Sequence, residues 1–470
     1  VKLRFTDGTI TVTFGHTSSE NTLRQYTPQT PDTSFLSDEP ILDDGGEVFS
    51  VTYRNIAEQA SVSWVGDTLS DQRDSINILN QLFDQARYRQ RTGLGDRVYV
   101  EFQPVDGEDW YRSEVLSGRV LIDDSYRLGL QLSSQELFST IIFTRRYYWE
   151  GPEEQIPLTN GNGIDDLDGL TVYNCDDDLG EYVSRDNWVS IAAEDVVGDL
   201  PAPIRLEMEN TYNDEDGLAQ VWISHNVHSN PESMTHILEA EDATGGTTKN
   251  WAFSSGGQYQ QYTVSGTEQE LAFTWDLTSE MLANCAGNYF KLLARFQTGM
   301  DPRNFYFQFK LYYRQLSPIW ESQEVNPEQD FALTIRDLAT VQLPPWLPES
   351  GSPAPLELRM YVRDPNGVGT VQLDFLQLSP VDNYCVLRHI VGSVEYGETL
   401  VFDGMENLLY VETADGDAGT FTRYGSKAIM LWPERDQRLY FLMHSEWMNQ
   451  AEVDRTIAVK AYHRPRRLSL

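Results

Sequence analysis

Residues His236–Gly246 read HILEAEDATGG, and the fold turns on what this stretch begins. Apolar Ile237, Leu238 and Ala240 mix with acidic Glu239 and Glu241, which reads as an opening strand. Domains usually open where a linker ends. Here the strand LAQVWISHNV (218–227) runs almost straight into it, and a similar strand-like run, CVLRHIV, follows at 385–391. A domain that begins without a linker, between two strands of something else, reads as an insertion.

Working outward, residues 236–380 are strands throughout. In NFYFQFKLYYR, Phe305, Phe307, Phe309 and Leu311 fall on one side, and Tyr306, Gln308, Lys310 and Tyr312 on the other. That alternation is the mark of a half-buried strand. QELAFTWDL, NYFKLLARFQ, FALTIRDLATVQL, PLELRMYVRD and GTVQLDFLQL continue it, and TSEMLANCAG has room for short helices. About eight evenly spaced strands predict a jelly roll. Strands resume from Cys385 to the end of the chain.

The N-terminal part has a different rhythm. LRFTDGTITVTF sets Asp7-Gly8 between alternating runs, a hairpin signal. Residues 68–91 switch to helical spacing through Ile76, Leu79, Phe83 and Ala86, with Ile78 and Leu82 widening the stripe. Thr68 or Ser70 is placed to cap the start, and Thr92-Gly93 to stop the helix. Strands return over 97–148. The Gly-, Pro-, Asn- and Asp-rich EGPEEQIPLTNGNGIDDLDGL (150–170) reads as a domain boundary.

The chain has 470 residues, enough for two to four domains. Its 35 basic and 72 acidic residues give a net charge of −37, a surface that repels nucleic-acid phosphates. No specific nucleic-acid binding is expected. No apolar run approaches the roughly 18 residues of a membrane span, and the first residues do not read as a leader peptide. Cys175, Cys285 and Cys385 are too scattered for zinc and cannot all pair. They read as free thiols of a protein made in a reducing cytoplasm. Residues 165–216 hold sixteen acids against two arginines, with DDLDG, CDDD and NDEDG read as solvated turns or calcium loops. No Walker loop, dinucleotide fingerprint, HExxH or GxSxG is found. His225 and His228, three apart on a strand, would face opposite sides. No catalytic residue and no enzymatic activity are expected.

Two resemblances follow. LEAEDATGG, SSGGQYQQYTV and VQLDFLQL make residues 237–378 similar to family 6 and family 35 carbohydrate-binding modules. That resemblance implies a structural calcium held by Glu239, Glu241 and Asp374, hard oxygens from the first and last strands. The other reading of the two glutamates is a solvated strand face. Sugar-stacking candidates are Trp251, Tyr259, Tyr262, Trp320 and Trp346, each of which also suits a core or rim position.

The flanks resemble the distal tail proteins of long-tailed bacteriophages. The carrying stretches are SINILNQLFDQARYRQR with VYVEFQP, RRYYWEGPEEQIPLTNGNG, LPAPIRLEMENT with VWISHN, and IMLWPERDQRLYFL with IAVKAYHRPRRLSL. The resemblance implies a mainly β chain in three parts. A belt domain with one long helix covers 1–150, a galectin-like β-sandwich covers 151–235 and 385–470, and the jelly roll of 236–384 is inserted into the sandwich. It also implies a homohexameric ring at the distal end of the virion tail. The ring would lie between tail tube protein and baseplate hub, near the tape-measure end, with outward modules that touch host-surface glycans. A negatively charged ring lumen would let DNA slide past. The rivals are a secreted glycan-processing enzyme with a sugar module and a trimeric tail fibre or adhesin.

Overall fold

The computed structural model describes residues 1–470 other than 17–20, 39–46, 67–68, 123–135, 166–167, 175–176, 179–183, 214–216, 228–236, 252–253, 278–284, 286, 298–299, 314–316, 328–334, 345–355, 382, 390–392, 414–420, 426–427 and 446–454. The chain is mainly β. It divides into two compact units, Val1–Glu154 with Val197–Leu200 and Arg464–Leu470, and Gln155–Val196 with Pro201–His463.

In the first unit, the strands Lys2–Thr6 and Thr11–Phe14 form the expected hairpin, closed by a four-residue turn. The Asp7 carboxylate accepts the Thr9 and Ile10 amides at 2.9 and 2.7 Å. The hairpin joins an antiparallel sheet that runs on through Tyr99–Gln103, Tyr111–Ile122, Glu136–Arg145 and Ile56–Val65. The helix Leu69–Thr92 buries Ile76, Leu79, Leu82, Phe83 and Ala86 with the sheet's Leu3, Phe5, Val100 and Phe143. Ile78 departs from the expected stripe and is exposed, because at 100° per residue it falls just past its edge. Of the two expected caps, Thr68 lies outside the described residues and Ser70 falls inside the helix. The helix stops as anticipated at Gly93, whose N–H reaches the Arg89 carbonyl at 2.8 Å. Its close seat needs Gly118, where a Cβ would stand 2.6 Å from the Phe83 ring.

A charged network is sealed in this unit. Arg145 donates to Glu58 at 2.7 Å and to the Gln29 carbonyl at 2.9 Å, with its guanidinium stacked over Trp149 at 4.2 Å from the ring centre. Tyr26 and the Gln29 amide donate to the same Glu58 carboxylate. The chain's end also lies here. Arg466–Arg467 pairs with Trp149–Glu150, and the Asp199 amide donates to the Arg466 carbonyl at 2.7 Å. The sequence reading places everything from 385 to 470 in the sandwich. The structure assigns Arg464–Leu470 to the first unit, because these residues make their ladder with its strand.

The second unit holds the sandwich and the inserted module, each with its own core. The sandwich packs one sheet containing Arg205–Asn210, Thr399–Asp403 and Ile457–His463 against another containing Trp188–Ile191, Leu218–Val227, Tyr384–His389 and Gln437–Ser445. The expected boundary segment 150–170 is not all loop, since it forms short strands at Glu154–Ile156, Leu158–Asn160 and Gly163–Asp165. The insertion is direct. Leu218–Val227 and Tyr384–His389 are antiparallel neighbours, with Gln220 opposite Arg388 and Ser224 opposite Tyr384. Within the module, Ile237–Glu239 pairs with the last strand, Thr370–Pro380, so its two ends lie together. Phe305, Phe307, Phe309 and Leu311 are buried as their alternation predicts. The helices expected in TSEMLANCAG fall largely outside the described residues.

The sequence reading sets the module apart as a domain of its own, yet it is bound to its host. Alternation along Gln437–Ser445 turns Leu439, Phe441 and Met443 into the sandwich core. Tyr440 and Leu442 turn the other way and pack with the module's Ile237, Leu293, Ile335 and Phe375, beside Trp188 and Trp222. Ser224 and Ser379 share a hydrogen bond of 2.5 Å, and the Ile335 amide donates to His444 Nε2 at 3.0 Å. One host sheet is therefore covered on both faces.

Two predictions come from these buried groups. Arg145→Ala leaves Glu58 charged and unpaired, and should destabilise the first unit by about 3 kcal/mol or more in denaturant unfolding. Glu58→Leu/Arg145→Met should cost less than the single change. Burial, aided by Arg336 and Arg455, depresses the His444 pKa from 6.5 to about 3. Its folded pKa lies below the unfolded one, so its contribution is full above pH 6.5. That contribution is lost as pH falls toward 3, at up to about 1.4 kcal/mol per pH unit. Thermal melts of His444→Gln should show a shallower decline over that window.

Candidate functional site

The three acidic residues singled out in the module converge at one end of it. Glu239 ends the first strand, and Asp374 sits in the last, whose neighbours pack into the core on both sides. The Ala240 amide donates to the Asp374 carbonyl at 2.9 Å, and the Trp275 indole donates to the Glu239 carbonyl at 2.7 Å. Ser255 bridges the side chains. Its amide reaches Asp374 Oδ1 at 3.1 Å, and its hydroxyl reaches Glu239 Oε1 at 2.6 Å. Burial raises the Asp374 pKa to about 6 against the pull of Arg295. Burial, with the charges of Asp374 and Asp242, raises Glu241 to about 7. Glu241 Oε2 is buried without a hydrogen-bond partner.

Arg295, which sequence reasoning passed over, completes the cluster. Its Nη1 donates to Asp374 Oδ2, and both side chains are almost fully buried. The signal was in KLLARF, where an arginine stands inside a strand whose neighbours are all apolar. Such an arginine needs a buried acid. The orphaned Glu241 oxygen suits a hard cation, but a cation at Asp374 would stand against the buried Arg295 guanidinium. Among the described residues no three His, Cys, Asp or Glu side chains stand close enough to hold a metal. The set does not fit the three-carboxylate clamp.

The aromatic candidates are not gathered into one platform. Trp251 and Tyr259 are edge to face with ring centres 6.5 Å apart, and Trp251 also faces Arg295. Tyr262 and Trp320 pack against the module core, the former donating to Glu270 at 2.9 Å. Trp346 lies outside the described residues, as does His228. His225 is a buried sheet residue bonded to Gln437 and Asn383. Cys285 and Cys385 are buried, and Cys175 is not among the described residues. The acidic runs DDLDG, CDDD and NDEDG all lie partly outside the described residues.

A cleft that the sequence did not suggest opens where the loops around Asp301 and Asn366 meet. It has a volume of about 510 Å³ and is lined by Asn304, Asn366, Val368 and Gln372, among others. Asp301 and Asp364 also line it, but they are committed to holding their turns. Asp301 binds Arg303, and Asp364 accepts the Asn366 and Gly369 amides at 2.7 and 2.6 Å. Amide side chains beside an exposed valine suit a neutral polyhydroxylated ligand.

No protein-family model matches the chain, and no curated protein matches it. Among solved structures it is similar to the SPP1 Dit (gp 19.1) protein, described as a paradigm of the hub adsorption apparatus in phages infecting Gram-positive hosts. The identity is 12% and the TM-score 0.26, over 48% of this chain and 71% of that one. It is similar to a chain of the phage p2 baseplate in its activated conformation with Ca, at 10% identity and TM-score 0.28, over 77% of this chain and 98% of that one. It is also similar to the M60 catalytic domain with two CBM51 domains of Clostridium perfringens ZmpB, at 8% identity and TM-score 0.17, over 77% and 54%.

The cluster makes a backbone prediction. Gly256 has φ +59°, and a Cβ there would stand 2.5 Å from Glu241 Oε1. Gly256→Ala should lower the stability of the second unit by about 1 kcal/mol or more, read as a lower melting temperature.

Proposed function

We propose that this chain is a structural protein of a phage tail tip or baseplate, with no catalytic role, carried in the virion and assembled as a ring of six. The observation that supports it most is the nesting of its domains. The chain leaves the first unit after Glu154, re-enters it briefly at Val197–Leu200 and rejoins it at Arg464, next to the paired strands Trp149–Glu150 and Arg466–Arg467. The module leaves the sandwich between the paired strands Leu218–Val227 and Tyr384–His389. A base domain that must keep its own sheet intact for assembly can bear further domains in this way at little cost. The stretches that resemble distal tail proteins lie in the base and the sandwich, and the module interrupts neither core. Tail tube, hub and tape-measure end are the proposed partners.

In this reading the module contacts host-surface glycans, with the amide-lined cleft as the ligand site and Trp251 with Tyr259 as a second, aromatic place. Asn366→Ala should abolish glycan-array binding if the cleft carries it, whereas Trp251→Ala should do so if the aromatic pair does. Binding unaffected by both variants contradicts both sites. Light scattering with negative-stain imaging of the purified chain, alone and with its tube protein, tests the assembly. Six-membered rings are expected. A trimer in both conditions would contradict the reading and favour an elongated fibre.

A further inference from the structure

We infer that the arginine of KLLARF, Arg295, is itself the cation of the inserted module's carboxylate cluster, which makes the module independent of calcium. This departs from what its resemblance to carbohydrate-binding modules implies, and it does not depend on the tail-tip reading. Asp374 already has its countercharge, sealed in with it. Oδ2 takes the Arg295 guanidinium and Oδ1 takes the Ser255 amide at 3.1 Å. A metal bound at Asp374 would stand beside the buried Arg295 guanidinium, cation against cation. A guanidinium carries a permanent charge and directional donors, so it pairs with a buried carboxylate where a hydrated ion would need several more oxygens.

The placement of Arg295 supports the exchange. Its strand, Tyr289–Phe296, lies next to the last strand, with Arg295 directly opposite Phe375 and one step from Asp374. The guanidinium carbon lies 5.6 Å from the Trp251 ring centre and 5.9 Å from that of Phe375. Aromatic faces on a buried guanidinium recover part of its lost hydration. The first and last strands, which calcium would join through side chains, are joined here by other means. The ladder from Ile237–Glu239 to Phe375–Gln377 and the Ser255 bridge between Glu239 and Asp374 make that tie.

Calorimetric melts of the intact chain in chelator and in excess calcium, for wild type, Glu241→Gln and Arg295→Ala, test this. The wild-type and Glu241→Gln transitions of the second unit should each be the same in both conditions. Arg295→Ala should melt lower in chelator and regain part of the loss in calcium, because it leaves the buried Asp374 carboxylate without its cation. A wild-type rise with calcium that Glu241→Gln abolishes would overturn the inference. A rise of equal size in Glu241→Gln comes from acids elsewhere and agrees with it. Should Arg295→Ala not fold, the wild-type and Glu241→Gln comparison decides alone.

Discussion

The pairing of Leu218–Val227 with Tyr384–His389 is the constraint on which the second unit depends. Two strands that the chain separates by more than 150 residues must lie side by side, about 4.8 Å apart. The module can occupy the gap only because its own first and last strands are also neighbours. Loop-closure cost grows only with the logarithm of length, and a folded insert with adjacent ends removes most of it. The same logic holds where the chain returns to the first unit through Arg466–Arg467.

The insertion is more than a tether. A host sheet with one face in a sandwich core would ordinarily offer polar residues on the other. Here Tyr440, Leu442, Trp188 and Trp222 stand on that second face, and the module's Leu293 and Phe375 cover them. Layering of this kind buries ionisable groups. His444 stays neutral and accepts a backbone amide, and Arg295 meets a carboxylate, as Arg145 does within the first unit. Each group is tolerable only with its partner, since an unpaired charge in such a place costs several kcal/mol.

Much of this was legible in the residues. Alternation exposed the strands, and the change of period at 68–91 revealed the long helix. The place of HILEAEDATGG between two sandwich strands marked the insertion. The strand assignment of LAQVWISHNV is matched residue for residue. What stayed hidden was tertiary. Nothing local in RPRRLSL tells that its backbone pairs with Trp149–Glu150. The short strands inside 150–170 look like loop because Gly, Pro, Asn and Asp crowd the segment around them. The convergence of Glu239, Glu241 and Asp374 came from a resemblance, whereas their arginine partner is set by strand order, which no window of sequence contains. The cleft near Asn366 is made by two loops over 60 residues apart, and its residues carry no motif.

The most direct test of the nested architecture is a covalent link across its decisive strand pair. In Gln220→Cys/Arg388→Cys the two thiols replace directly opposed side chains. Peptide mapping after mild oxidation should find residues 220 and 388 joined by a disulfide in a chain that keeps its cooperative melt. If both thiols stay free in the folded protein, the two strands are not neighbours and the insertion is misplaced.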